Sequence, residues 1–294
     1  MKAAVGLSLV LNIPKIVIGM TVVSFATSAP ELIVSINSAL DGATGLALGN
    51  VIGSNIANLG LVLGLTITLS SIQVERSFYI TDWPVMIAAS ILLYVFLYND
   101  AVLERYEGLI MFTALIAFLI YLLRFQKTAV VDEMPEDDLP LPLYKIVLFL
   151  VLGGIGLWAG SELLVDGAKT MARSLGVSEA IIGVTIVSVG TSVPELAASI
   201  IAVLKKEKAI SLGNLIGSNV FNILAVLGIT SMILPVEVKP SDLSLITNDI
   251  FWMLGISLLI LPLVFLPRGL RLNWRDGLVL LAIYATFVYL SFNQ

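Results

Sequence analysis

The strongest constraint on this chain is a carboxylate set directly after a proline, inside an apolar run, twice. The two stretches are Ala26-Thr27-Ser28-Ala29-Pro30-Glu31 and Gly190-Thr191-Ser192-Val193-Pro194-Glu195. Each lies in the middle of a run long enough to cross a bilayer, where a carboxylate is costly unless a cation or a polar cavity receives it. Proline has no N–H, so a carbonyl one turn back loses its partner, and the residue before proline is biased away from helical geometry. Each helix should therefore break in two. Freed carbonyls, two hydroxyls and one carboxylate would then point at one spot, an oxygen cage suited to a hard cation.

The stretches are also copies of one another. An offset of 164 residues aligns them without a gap, and half the positions from Gly19 to Thr66 are identical to their partners. Gly19 falls on Gly183, Thr21 on Thr185, Ser24 on Ser188, and Gly53-Ser54-Asn55 on Gly217-Ser218-Asn219. Gly49-Asn50 falls on Gly213-Asn214, Asn58 on Asn222 and Gly64 on Gly228. A single proline in a membrane helix is commonly only a kink. Two copies that share Thr-Ser-x-Pro-Glu and a later Gly-Ser-Asn-x-x-Asn are hard to explain by packing alone.

The rest of the chain fits a membrane setting. Of 294 residues 58% are hydrophobic and 13% charged, and the mean hydropathy is +1.02, values outside the soluble range. Spans are expected over 16–40, 46–69, 83–97, 108–123, 144–165, 181–204, 210–234, 245–265 and 277–292. The stub 3–11 is too short to cross. There are no cysteines and no histidines, which excludes disulfides, iron–sulfur and thiolate zinc sites and removes the commonest proton shuttle. No basic stripe suggests nucleic acid, and the first apolar stretch has no cleavage site of the signal-peptide kind. The acidic run Asp132-Glu133-Met134-Pro135-Glu136-Asp137-Asp138 does not have EF-hand spacing and reads as a solvated linker. Asp82 and Asp249 read as helix N-terminal residues, Glu162 and Asp166 as interfacial or structural, and Asn50, Asn55, Asn214 and Asn219 as supports of the broken backbone.

Charge orients the halves. The turn after the first broken helix, Asp41 to Gly45, has no Lys or Arg, whereas its counterpart Lys205-Lys206-Glu207-Lys208 has three. The loop before the last span has Arg268, Arg271 and Arg275, and its counterpart only Arg105. Lys and Arg favour the cytoplasm, so matching loops should face opposite sides. The expected fold is an all-α membrane protein, an inverted repeat of two five-helix halves with broken helices at the midplane. The boundaries are 1–125 for the first half (repeat motif 19–66), 126–143 for an acidic cytoplasmic linker, and 144–294 for the second half (repeat motif 183–230). The C-terminus then falls outside. Such paired broken helices point to a secondary transporter with its site at the midplane.

These motifs resemble the alpha-1 and alpha-2 repeats of the sodium/calcium exchanger family, within the cation/Ca2+ antiporter superfamily, and the resemblance covers nearly the whole chain. It implies a ten-helix fold around a central diamond of cation sites that opens alternately to each side. Glu31 and Glu195 would bridge the calcium site and neighbouring sodium sites. Thr27, Ser28, Thr191, Ser192, Ser54 and Ser218 would complete them, carbonyls near Ser24, Ser188, Gly53 and Gly217 would contribute, and Asn58 and Asn222 would occupy the remaining corners. Some members carry an aspartate at the position of Asn222, so this chain offers two carboxylates instead of three. The second half also has a helix, Val147 to Val165, whose first-half counterpart is reduced to Met1 to Leu11. The implied activity is antiport of Na+ against Ca2+ in a prokaryotic inner membrane, without a cofactor, an obligate protein partner or enzymatic chemistry. Proton/calcium exchange remains open because carboxylates carry protons. A passive cation channel remains open because paired broken helices can line a pore.

Overall fold

Proline, glycine and charged turns divide the apolar runs into helices, which the computed structural model describes over residues 2–11, 13–125, 142–174, 181–266 and 269–292. The first half contains α1 (Lys2–Leu11), α2 (Lys15–Thr27), α3 (Ala29–Leu40), α4 (Thr44–Leu69), α5 (Phe78–Tyr98) and α6 (Arg105–Phe125). The second contains α7 (Leu143–Ser174), α8 (Val184–Thr191), α9 (Val193–Leu204), α10 (Lys208–Ile233), α11 (Pro240–Phe265) and α12 (Trp274–Ser291). The acidic run 132–138 and most of the expected linker lie outside the described residues.

Five helices, α4, α5, α6, α10 and α11, are each long and apolar enough to cross a membrane. Their burial separates two roles. The spanning windows of α4 and α10 are 83% buried, against 28–39% for α5, α6 and α11. The central pair is packed on all sides by protein. The outer helices expose Ile91, Val95, Ile110, Ile120 and Leu258, an amount of contiguous apolar surface that suits lipid rather than water. α1 packs against α7, with Gly6 lying on Ile146.

Pseudo-symmetry governs the contacts between halves. Two short antiparallel strand pairs join them: β1 (Ile72–Gln73) with β4 (Arg271–Leu272), and β2 (Val102–Leu103) with β3 (Val236–Glu237). The 164-residue offset places β1 on β3, and β2 and β4 each directly precede the last helix of their half, so each pair is the counterpart of the other. The turn after α3 lies against the β3 region, where the Thr44 hydroxyl donates to the Glu237 carbonyl and the Lys239 ammonium to the Gly42 carbonyl, the latter at 2.8 Å. The matching turn after α9 lies elsewhere. Lys208 donates to the Ser71 carbonyl at 2.8 Å, and Glu207 pairs with Lys15 at 2.8 Å. Thr44 and Ser71 sit at opposite ends of α4, about 39 Å apart along 26 residues. Equivalent turns therefore occupy opposite ends of the helical core.

Three details differ from the sequence reading. The breaks fall at Ser28 (φ −83°, ψ 3°) and Ser192 (φ −82°, ψ 1°), not at the residue before proline. Pro30 and Pro194 sit in the first turn of α3 and α9, where a missing N–H costs nothing because that donor has no intrahelical partner anyway. Second, Asp82 and Asp249 lie inside their helices rather than at the start. The π-helical turns Phe78–Asp82 and Leu245–Asp249 precede the regular helix and carry both aspartates into buried positions. Third, π-helical turns also occupy Gly19–Val23, Asn58–Leu63, Ile182–Val187 and Asn222–Leu227. They recur at matching places in both halves, next to the polar motifs.

Candidate cation site

Four elements bring the duplicated motifs together. α4 packs against the π-helical stretch of α8, and α10 against that of α2. Gly53 and Gly217 permit this. A Cβ on Gly53 would strike the backbone of Val184, and one on Gly217 would lie 2.5 Å from the Met20 Cα. Both glycines are thus close-approach positions that bring Ser54 and Ser218 up to the breaks.

Hydroxyls and amides then join across the halves in reciprocal pairs. Thr27 Oγ1 lies 3.2 Å from Ser218 Oγ, and Ser54 Oγ lies 3.1 Å from Thr191 Oγ1. Thr27 donates to Asn214 Oδ1 at 3.2 Å, and Thr191 to Asn50 Oδ1 at 3.1 Å. Ser24 donates to the carbonyls of Gly19 and Asn214 at 2.8 and 2.9 Å. Ser188 donates to the Val184 and Thr185 carbonyls, and its own carbonyl faces Ser54 Oγ at 3.4 Å. Asn50 Nδ2 donates to the Glu31 backbone carbonyl at 3.3 Å and to Ser35 Oγ at 3.0 Å, so Asn50 does support the broken backbone.

Glu31 and Glu195 lie at the centre, each completely buried. Glu31 sits in the first turn of α3, which packs against α4, and Glu195 in the first turn of α9, which packs against α10. Neither carboxylate has a hydrogen-bond partner on either oxygen, and Ser28 Oγ, Ser192 Oγ, Asn58 Oδ1 and Asn222 Oδ1 are buried and unpartnered as well. Asn58 begins a turn that packs against α9, the helix of Glu195, and Asn222 begins one that packs against α3, the helix of Glu31. Buried polar atoms are almost always satisfied in folded proteins. Here eight of the unpartnered oxygens, those of Glu31, Glu195, Ser28, Ser192, Asn58 and Asn222, come from the two copies of one motif. Among the described residues no group of three or more His, Cys, Asp or Glu could hold a metal, so hydroxyl, amide and carbonyl oxygens must complete any shell. Carboxylate mixed with neutral oxygen suits a hard cation such as Ca2+ or Na+ and disfavours softer metals. The fourteen positions anticipated from the sequence lie on α2, α3, α4, α8, α9 and α10 or at the breaks Ser28 and Ser192.

Buried carboxylates between proline-broken helices, in a chain of membrane-spanning length, define a membrane transporter for cations. The family model described as "Sodium/calcium exchanger protein" matches residues 1–124 and 145–293. The chain belongs to the sodium/calcium exchanger family; it exchanges cations against Ca2+ and is not an enzyme. It is 39% identical over 291 residues to the putative antiporter CaxA of Alkalimonas amylolytica, covering 97% of this chain and 90% of that one. It is 30% identical over 287 residues to the sodium/calcium exchanger MaX1 of Methanosarcina acetivorans, covering 84% and 81%. Among solved structures it superposes on the sodium-calcium exchanger NCX_Mj soaked with 2.5 mM Na+ and 0.1 mM Ca2+, with a TM-score of 0.77, 28% identity and coverage of 98% and 90%.

Proposed function

We propose that this protein is an antiporter that couples Na+ entry to Ca2+ extrusion through one central site shared by both ions. The observation that carries the reading is the pair of fully buried carboxylates, Glu31 and Glu195, whose four oxygens have no partner. Two such charges repel each other and have lost their hydration, a cost of several kcal/mol per ion. One Ca2+, or several Na+, would neutralise the pair. Ser28, Ser192, Asn58 and Asn222 would add their unpartnered oxygens. Thr27, Thr191, Ser54 and Ser218 would add lone pairs left over from their cross-half contacts, with carbonyls near Ser24, Ser188, Gly53 and Gly217. Because both ions need the same carboxylates, one excludes the other, and that competition is the basis of exchange.

Alternation follows from the reciprocal contacts. The halves would insert in opposite senses, dividing as 1–125 and 144–294, and rocking one against the other would open the site to each side in turn. One end of the core carries Lys15, Lys205, Lys206, Lys208, Arg271 and Arg275, so by the positive-inside rule it faces the cytoplasm. The linker 126–143 would then be cytoplasmic and the C-terminus outside, in a prokaryotic inner membrane. No obligate protein partner is required.

Equilibrium binding of 45Ca2+ to purified protein in detergent tests this reading. Na+ is expected to displace Ca2+ competitively at constant pH, and Glu31→Gln is expected to abolish high-affinity binding. Displacement by protons without any effect of Na+ would transfer the case to proton/calcium exchange.

A further inference from the structure

Asn55 and Asn219 belong to the duplicated motif, yet neither presents an unpartnered oxygen. Their hydrogen bonds form two crossed chains. Asn219 Nδ2 donates to the Asn55 backbone carbonyl at 3.3 Å and to Met86 Sδ at 3.7 Å. Its Oδ1 accepts from Asn58 Nδ2 at 3.1 Å. In the other direction, Asn55 Nδ2 donates to the Asn219 carbonyl at 3.2 Å and to Met253 Sδ at 3.6 Å. Its Oδ1 accepts from Asn222 Nδ2 at 3.1 Å. All four amides are buried.

We infer that Asn55 and Asn219 are positioning residues, each locking the amide of the opposite half's site asparagine so that its oxygen faces the cation. A backbone carbonyl and a thioether sulfur can only accept. Each therefore fixes the NH2 end of Asn219, and of Asn55, leaving only Oδ1 for the next amide in the chain. That oxygen in turn fixes the NH2 end of Asn58 and of Asn222. The remaining atoms, Asn58 Oδ1 and Asn222 Oδ1, are the two that are buried without a partner. An asparagine without such a lock rotates by half a turn at little cost and offers NH2 in place of oxygen. At a cation site that exchange replaces a ligand with a repulsive dipole. The order of the chain makes orientation a consequence of the main chain, which cannot flip. Each lock also crosses between halves, so the ligand orientation of one half depends on the other staying docked. This inference rests on the site reading above.

The test is a double-mutant cycle on 45Ca2+ binding, with thermal melting alongside. Asn219→Leu keeps the side-chain size and removes the lock on Asn58. Its Ca2+ affinity is expected to fall at least about tenfold, the order seen when an outer-shell partner of a metal ligand is lost. A carboxylate presents oxygen in either orientation and needs no lock. In an Asn58→Asp background, Asn219→Leu should therefore change affinity less than about twofold, the residual expected of an uncoupled pair. The mirror cycle, Asn55→Leu with Asn222→Asp, repeats the test from the other half should Asn219→Leu fail to fold. An equal loss in both backgrounds would assign these residues to packing and overturn the inference, as would unchanged affinity in the single variants. Failure of the site reading itself would look different, because Asn58→Leu and Glu31→Gln would then leave Ca2+ binding intact.

Discussion

Removing one charge from a buried carboxylate pair separates divalent from monovalent binding. In the proposed site Glu31 and Glu195 would together supply two negative charges beside buried hydroxyl and amide oxygens. Glu31→Gln keeps the shape and one oxygen but leaves a single charge. Ca2+ affinity is expected to fall by at least about a hundredfold, roughly 2.7 kcal/mol, whereas the affinity for one Na+ should change much less. Isothermal titration with each ion checks this, and equal losses for both ions would contradict a charge-matched site. That Glu31, Glu195, Thr27 and Thr191 would be buried together at the breaks was legible in the sequence, because a polar residue at membrane depth has few structural uses. The cross-half hydrogen bonds of Asn55 and Asn219 were not. An asparagine that bonds its own broken backbone and one that reaches across to another half look alike until the halves are docked.

At the scale of elements, the close contact of α4 with α8 and of α10 with α2 decides whether the site assembles. Gly53→Ala forces a Cβ into the Val184 main chain, and a backbone atom cannot rotate away as a side-chain tip can. A destabilisation of about 1–3 kcal/mol is expected, read as a lower melting temperature in detergent together with weakened Ca2+ binding. Gly156 on α7 is the control, because a Cβ there meets nothing within 4 Å. Gly156→Ala should leave the protein as stable or slightly more so. Equal effects of the two substitutions would contradict the close-approach argument. The spans themselves were readable from hydropathy, but their fine structure was not. The break sits one residue earlier than a proline rule suggests because proline prefers the first turn of the following helix. The π-helical turns that bury Asp82 and Asp249 leave no periodic trace in so uniformly apolar a sequence. The strand pairs β1–β4 and β2–β3 are two residues long and join distant segments, so nothing local announces them.

The whole molecule is organised by a repeat whose equivalent turns occupy opposite ends of one core. Turn 41–43 lies with 237–242, and turn 205–207 lies with Lys15 and Ser71. Loop charge points to the same arrangement, because the membrane's preference for cytoplasmic Lys and Arg writes topology into the sequence. The absence of cysteine in the chain makes it directly testable. Single substitutions Glu75→Cys and Lys205→Cys, at exposed positions, should resist an impermeant maleimide applied to intact cells and react only after permeabilisation. Asp41→Cys and Asn99→Cys, also exposed, should react from outside. Labelling of Asp41→Cys and Lys205→Cys from the same side would refute the inverted insertion. The coupling of the two ions is tested most directly by 45Ca2+ uptake into proteoliposomes loaded with Na+ and diluted into Na+-free buffer, with Glu31→Gln and Glu195→Gln alongside. Uptake that requires internal Na+ and vanishes in both variants is the predicted result. Uptake that ignores Na+ and follows a pH gradient, or that persists without either glutamate, would contradict a shared Na+/Ca2+ site.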